Sequence, residues 1–492
     1  MLAVTRCQVC DGSSRKELLV FPNDPYLRRL PTRKDHKVRY VVCTDCGFVY
    51  QPEMMDEAEM EHLYTTSYRP PQPDTSYIDR NRATAMEVYS WIIAHTGMRG
   101  HGRRVLDIGC AAGMFLRNFA QEGWKAAGLD AGSDWVEYGR REFGLDLRSE
   151  FFTGKSCPGE QFDLIIFSHV LEHVLDPAPV LAAIREKLTE DGYLFIGTPN
   201  VLAPNRKLYP GLFGGDHVRL YSPRTLAAYL RRHGFRAVTI ETLNPRGLRV
   251  LAVKAKRTTK PNLRERDDWA TILALYRGLF CSSDPTLLER NLAALVDHQE
   301  PVLEEVCRSL GASRKCLLLD GQEVDNVGIE VDNVGIKEAD GSVRWLYGPE
   351  GSRARAQRAM RPIHDSVTTV LLVGLGLGHM AELLEARLDP QCRLHIWEAD
   401  PALFMTVLQA RDLTRLFHSP RVSLHVGSSV EFLRRLTVVK GFCKLGKIAD
   451  PVVSSLRHHL YDEFDGLIRQ MGSKPAGTAD TPVSSGAAST AP

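Results

Sequence analysis

Between residues 103 and 256, short apolar runs alternate with stretches of helical period. RVLDIG, KAAGLD, FDLIIFS, GYLFIGT, RAVTIETL and RVLAVKA read as strands; MFLRNFAQEG, DWVEYGRREFG, APVLAAIREKLTE and SPRTLAAYLRRHGF read as amphipathic helices. Strand followed by crossover helix, repeated, predicts a wound, mostly parallel sheet with helices on both faces. The last two runs have no helical stretch between them and predict an antiparallel hairpin at one edge. A second alternation runs through TTVLLVG, HMAELLEARL, RLHIWEA, ALFMTVLQARDL, RVSLHVG and SSVEFLRRL, which predicts a smaller block of three strands. The expected fold class is α/β: a Rossmann-like main sheet, a small N-terminal module and a second, smaller C-terminal α/β domain.

The same reading divides the chain. Residues 1–50 are short strands and turns, 51–102 a helical lead-in, 103–256 the main α/β domain, 257–312 a charge-rich linker and helical segment, and 313–470 the second domain. Residues 471–492 are small, polar and Pro-rich and are expected to be disordered. VDNVGIE followed at once by VDNVGIK (324–337) is one tandem copy, too short for a repeat architecture, and reads as a widened hairpin.

Composition narrows the class of function. The 492 residues are 43% hydrophobic and 25% charged, ordinary for a folded chain. Sixty-two basic residues against 60 acidic leave a net charge of +2, so no strong field draws the chain to nucleic acid or an anionic membrane. No apolar run has the roughly 18 residues of a spanning helix, and the N-terminus lacks a signal-peptide core. The cytoplasm is the expected location. Of eleven cysteines, four fall in two C-x-x-C pairs and seven are scattered, which fits a reduced compartment with one metal site. Cys7, Cys10, Cys43 and Cys46 offer the four thiolates of a closed structural zinc site, and the metal would supply much of so small a module's folding free energy.

Candidate chemistry gathers at strand ends. In VLDIGCAAGMFL (105–116) a strand ends at Asp107 and a turn through Gly109 and Gly113 opens a helix; KAAGLD ends in Asp130, placed to accept both hydroxyls of a ribose. The spacing is G-x-x-x-G, so the dinucleotide fingerprint is not met. SHVLEHVLDP (168–177) spells H-x-x-E-H, a zinc-peptidase pattern. That pattern needs one long helix to bring both histidines to a face. Here it follows a strand directly, with Asp176-Pro177 ahead of the next helix, so the peptidase reading is set aside.

Together these stretches resemble the class I S-adenosylmethionine-dependent methyltransferases. The likeness continues through DGYLFIGTPN and DHVRLYSPRTLAAYLRRHGF (216–235). The resemblance implies S-adenosylmethionine as cofactor, held by Asp107, Gly109, Cys110 and Gly113 at its methionine end, Asp130 at the ribose, residues around Phe151 beside the adenine, and Ser168 at the strand tip. His169, His217 and His173 are the candidate catalytic or acceptor-site residues, and Tyr64 and Tyr68 would cover the cofactor or pack as an interface. The N-terminal zinc module followed by LYTTSY (63–68) looks like the bacterial branch associated with sugar and cell-surface polysaccharide modification. That implies a small-molecule or glycan acceptor, a sugar nucleotide among them, with O-, N- or C-methylation left open. VLLVGLGLGHM (370–380) and IWEADPALFMTVLQARDL, with Glu398 ending a strand, resemble the N-terminal domain of the motility accessory factor family of flagellin glycosylation. On that likeness the C-terminal block is a recognition or docking domain for protein partners. Two other readings stand beside the enzyme: a non-catalytic scaffold in a surface-glycan or flagellin glycosylation system, and a nucleic-acid methyltransferase.

Overall fold

A computed structural model describes residues 1–256 except 32, 71–74, 204–210 and 244–246, and then 266–280, 286–296, 302, 317–324, 328–337, 343–345, 351–359, 369–427 and 445–449. The expected tail, the middle of the linker and the helix SSVEFLRRL lie outside the described residues.

The N-terminal module pairs β1 (Leu2–Ala3) with β5 (Glu53–Met54) and builds an antiparallel sheet from β2 (Arg15–Phe21), β3 (Val38–Cys43) and β4 (Val49–Tyr50). Helix α1 (Glu57–His62) starts at a capping box in which Asp56 and Glu59 each satisfy the other's backbone N–H. It runs into a single π-helical turn, Leu63–Ser67. The long α2 (Thr75–Thr96) then leads to the main sheet.

That sheet contains β6 (Arg104–Ile108), β7 (Lys125–Asp130), β8 (Asp146–Ser149), β9 (Phe162–Ser168), β10 (Leu188–Thr198), β12 (Phe235–Leu243) and β13 (Gly247–Lys254), in the order β12-β13-β10-β9-β6-β7-β8. Only β13 runs against the rest, paired antiparallel to both β10 and β12. The predicted hairpin is therefore present, with β12 at the edge. Helices α3 (Met114–Gln121), α4 (Ser133–Phe143), α5 (Pro177–Lys187) and α6 (Pro223–Arg232) connect the strands. The period-2 alternation of a strand sorts β9 between two cores. Leu164 and Ile166 join Val88, Ile92, Phe119 and Leu251 on one face. Ile165 and Phe167 join Leu181, Ile184, Leu226 and Val250 on the other. All four of these β9 side chains are fully buried. At about 1.5–3 kcal/mol each, they contribute at most about 6–12 kcal/mol of transfer free energy.

One short strand joins two regions. β11 (Arg219–Leu220), from the segment before α6, adds to the N-terminal sheet with Arg219 opposite Tyr50 and Leu220 opposite Val49. The N-terminal module thus shares a sheet with residues next to His217. On its other side, α7 (Trp269–Phe280) and α8 (Leu287–Leu295) continue the same apolar cluster to the C-terminal block. The amide of Asn291 donates to the carbonyls of Leu408 (2.9 Å) and Arg411 (2.6 Å) and accepts from the Leu413 N–H (2.8 Å).

Beyond α8, β14 (Leu317–Val324), β15 (Gly328–Lys337) and β16 (Val343–Trp345) form an antiparallel sheet. The whole second VDNVGI copy lies inside β15, which gives the duplication the hairpin form expected of it. The last sheet is parallel, in the order β19 (Val422–Val426), β18 (Arg393–Glu398), β17 (Thr369–Val373), β20 (Leu445–Ala449). The expectation of three strands is corrected here. LGKIA is a fourth strand beside β17, too short and too interrupted by glycine and lysine for its sequence to read as one.

Candidate active site

The four cysteines meet. Cys7 Sγ lies 3.6 Å from Cys46 Sγ, Cys10 Sγ 3.6 Å from Cys43 Sγ, and all four sulfurs fall within 4.8 Å of one another. Four sulfurs around zinc at about 2.3 Å stand about 3.8 Å apart in a tetrahedron, so the donor set fits that ion with no position open. Each pair is held in a backbone turn: Cys7 N–H donates to Gly12 and Asp11 N–H to Cys7; Cys43 N–H donates to Phe48 and Gly47 N–H to Cys43. Asp11 and Gly47 take positive φ to close these turns.

The loop after β6 is built as its glycines require. Gly109 has φ 78° and Gly113 φ 76°, and a Cβ on Gly109 would stand 2.4 Å from Val170 Cγ2. Gly109 and Cys110 both donate to the Leu129 carbonyl, which ties the loop to the end of β7. Asp107 is buried, and its Oδ2 has no hydrogen-bond partner. Burial, then the charge of Asp130, pushes its carboxyl well above the usual range. A buried carboxyl oxygen without a donor fits a loop made for a ligand that brings one. Cys110 is buried beside it, Ser168 is half-buried at the tip of β9, and Phe151 is 44% exposed just past the Asp130–Glu150 backbone bond.

Asp130 differs from the simple expectation. Its Oδ2 accepts from Ala111 N–H and its Oδ1 from Gly132 N–H, each at 2.8 Å. Both oxygens also accept from Arg69 Nη1 at 3.1 Å. The Arg69 guanidinium lies 5.2 Å from the Trp135 ring centre and 5.7 Å from that of Tyr68. A cation from the lead-in thus sits where the ribose hydroxyls were expected. Sequence reasoning missed Arg69, and no spacing or motif signals it.

The H-x-x-E-H residues lie past the end of β9 in a turn, not on a helix. His169 has φ 54°, its N–H donates to Gly197, and its side chain is 63% exposed. Glu172 is fully buried; its Oε2 accepts from Thr198 Oγ1 (3.1 Å), while Oε1, 3.3 Å from His169 Nδ1, makes no aligned hydrogen bond. The protein crowded around His169 opposes its charging, but Glu172 outweighs this and the imidazole is raised. Burial works to raise Glu172 in turn, and His169, His173 and His217 more than offset it. His173 is lowered by burial and by His217, which keeps it neutral near pH 7.

The chain fold brings His217 to this cluster. The His173 and His217 rings stand 4.6 Å apart edge to face, and donor atoms of Glu172, His173 and His217 fall within 4.8 Å of one another. Tyr64 and Tyr68 meet the edge of the His173 ring at 5.7 and 6.0 Å, so they line the histidine side, while Arg69 takes the Asp130 carboxylate. Tyr26, from the N-terminal module, stacks on Tyr68 at 6.0 Å. Arg219, fully buried, spans from Gln8 of the first cysteine turn to the carbonyls of Val174 and Leu175. Its neighbour Val218 and its own N–H both donate to the Glu172 carbonyl.

A parallel sheet with one reversed strand, a glycine turn after its first strand and an acid ending its second define the class: residues 80–240 form a class I S-adenosylmethionine-dependent methyltransferase domain, EC 2.1.1.-. The matching family model is described as a methyltransferase domain. Among similar curated proteins, the ubiquinone biosynthesis O-methyltransferase of Stutzerimonas stutzeri is 28% identical over 177 residues, 35% of this chain and 74% of that one. The corresponding protein of Aeromonas salmonicida is 35% identical over 105 residues, 20% of this chain and 44% of that one. The chain therefore spans about three quarters of one relative and under half of the other. Among solved structures, the Burkholderia thailandensis 1,6-didemethyltoxoflavin-N1-methyltransferase with bound S-adenosylhomocysteine aligns with 36% of this chain and 81% of its own, at 20% identity and a TM-score of 0.30. Magnesium protoporphyrin IX methyltransferase of Synechocystis aligns with 41% and 98%, at 15% identity and a TM-score of 0.31. Among the described residues no helix is long and apolar enough to cross a membrane.

Proposed function

We propose that the chain transfers a methyl group from S-adenosylmethionine to a small hydroxylated acceptor, a sugar nucleotide or cell-surface glycan precursor. The observation that carries this reading is the position of the histidine cluster. His169, His173 and His217 converge at the tip of β9, beside the loop of Asp107, Gly109, Cys110 and Gly113, under a wall supplied by the N-terminal module. Bound there, S-adenosylmethionine supplies an electrophilic methyl on a sulfonium. The chain's own part is to orient the acceptor and take its proton. His169 is exposed and backed by Glu172, which suits it to receive that proton; His173 and His217 hold the acceptor. Asp107 meets the cofactor's amino group, Asp130 the ribose, and Phe151 and Ser168 border the rest.

Cys7, Cys10, Cys43 and Cys46 hold a structural zinc in this reading. The aromatic surface of Tyr26, Tyr64 and Tyr68 supports a ring-shaped acceptor, and the sugar class follows the likeness to the zinc-module branch. The divisions at 50, 102, 256, 312 and 470 belong to the same proposal, as does a docking role for the C-terminal block with its flagellin-glycosylation likeness. The test is calorimetric titration of S-adenosylmethionine into the full chain beside Asp130→Ala. Losing hydrogen bonds to a charged acceptor should weaken binding by about 1.5–3 kcal/mol. Absence of binding to the wild type would leave the scaffold reading in its place.

A further inference from the structure

We propose that Glu172, His173 and His217 bind one first-row divalent metal ion, at a site separate from the four cysteines. Each histidine spends Nδ1 on a backbone carbonyl: His173 on Asp216 (3.0 Å) and His217 on Leu212 (2.9 Å). A carbonyl only accepts, so Nδ1 carries the proton and Nε2 presents its lone pair. Ligating histidines are held in this way by their outer hydrogen bonds. The third donor is the oxygen Glu172 Oε1, buried, without an aligned hydrogen bond and with His169 Nδ1 3.3 Å away. A buried carboxylate oxygen so placed is stabilised further by a cation that it can ligate directly.

Donors on an ion at about 2.0–2.2 Å lie about 3–3.6 Å apart. One ligand atom of each of the three residues already falls within 4.8 Å of the others, so side-chain rotation closes the set on the ion. The carboxylate of Asp216, 3.9 Å from His217 Nε2, adds negative charge at the edge. Two imidazoles and a carboxylate select manganese, iron, cobalt or zinc over magnesium or calcium. The H-x-x-E-H string thus keeps a metal role that its peptidase reading lost: His173 remains a ligand, Glu172 becomes one instead of activating water, and His217 takes the place of the motif's first histidine. Use of the ion rests on the methyltransferase reading. An acceptor hydroxyl bound to it would release its proton to His169 more readily, the O–H bond breaking and the N–H bond forming.

The test is titration of Mn2+ into the full-length chain with its cysteine site zinc-loaded, because manganese competes poorly for thiolates. Calorimetry and the manganese electron-spin signal should show one ion per chain with a micromolar dissociation constant. His217→Ala and Glu172→Gln should each weaken it at least tenfold while S-adenosylmethionine still binds. No stoichiometric ion, or an isotherm unchanged in His217→Ala, would overturn the site. If a variant does not fold, cobalt loading of the wild type decides. Visible bands beyond the thiolate spectrum, from a cobalt without sulfur ligands, uphold the site, and a thiolate spectrum alone removes it. Ion binding is read without methyl transfer, so a chain that binds the ion and transfers nothing keeps this site and loses the proposed activity.

Discussion

Gly109→Ala should break the link between the glycine loop after β6 and the histidine turn. The residue sits at φ 78°, where an L side chain costs about 1–2 kcal/mol. Its new Cβ would also stand 2.4 Å from Val170 Cγ2, more than 1 Å inside the ordinary carbon contact of about 3.5–4.0 Å. Overpacking of that kind costs about 1–3 kcal/mol, which makes the sum about 2–5 kcal/mol. Val170 lies between His169 and Leu171, so the displaced methyl pushes on the turn that carries Glu172. The assay is hydrogen–deuterium exchange over 104–116 and 168–176, which reads local opening in a large chain of several sheets where one global unfolding energy is ill defined. Both segments should exchange faster in Gly109→Ala. Adding Val170→Ala removes the clashing methyl and leaves Cβ at 3.7 Å, so the double variant should recover about 1–3 kcal/mol and keep only the backbone strain. Strict additivity of the two substitutions, or unchanged exchange over 168–176, would refute the steric link.

Three further outcomes follow from the same geometry. Asp107→Asn should leave the unliganded chain as stable or more stable, since the raised folded pKa means that only the unfolded state gives up this proton at neutral pH, and stability falls as pH rises above the ordinary carboxylate range. The substitution should also weaken S-adenosylmethionine, and binding to the wild type should release a proton, seen as a heat that changes with buffer ionisation enthalpy. Arg69→Ala should tighten S-adenosylmethionine several-fold in calorimetry by freeing both oxygens of Asp130; weaker binding would make Arg69 part of the cofactor site. In the C-terminal block, burial lowers His379 to about 3 and His395 to about 4. Both stay neutral when folded but charge when unfolded below the ordinary histidine pKa, so stability is lost as pH falls from about 6.5 toward 4. Exchange over 369–427 should accelerate across that window, and His395→Phe should flatten the response.

Much of the candidate site was legible because its parts are local. Asp107 to Gly113 and Asp130 are a strand end, a turn that needs glycine and a second strand end, and each is signalled within a few residues. The cysteine turns are equally local, and thiolate chemistry gathers two such turns whatever lies between. The H-x-x-E-H string shows the complementary case. Its residues were plain, but their meaning depended on whether they lay on a helix, and the strand before them with Asp176-Pro177 after them decided that.

Hydrophobic period, glycine spacing and paired cysteines determined the α/β class, the two α/β blocks and the glycine turn after β6, since each expresses a backbone preference that acts over a few residues. Tertiary structure alone decided that Arg69 reaches Asp130 across 61 positions, that His173 stands beside Asp216 across 43, and that Arg219–Leu220 completes the N-terminal sheet. It also decided that LGKIA is a strand. Those contacts have no period along the chain. They form because burying the two faces of the main sheet fixes where its loops emerge, and side chains distant in sequence then satisfy one another's charge and hydrogen bonds in the space that remains.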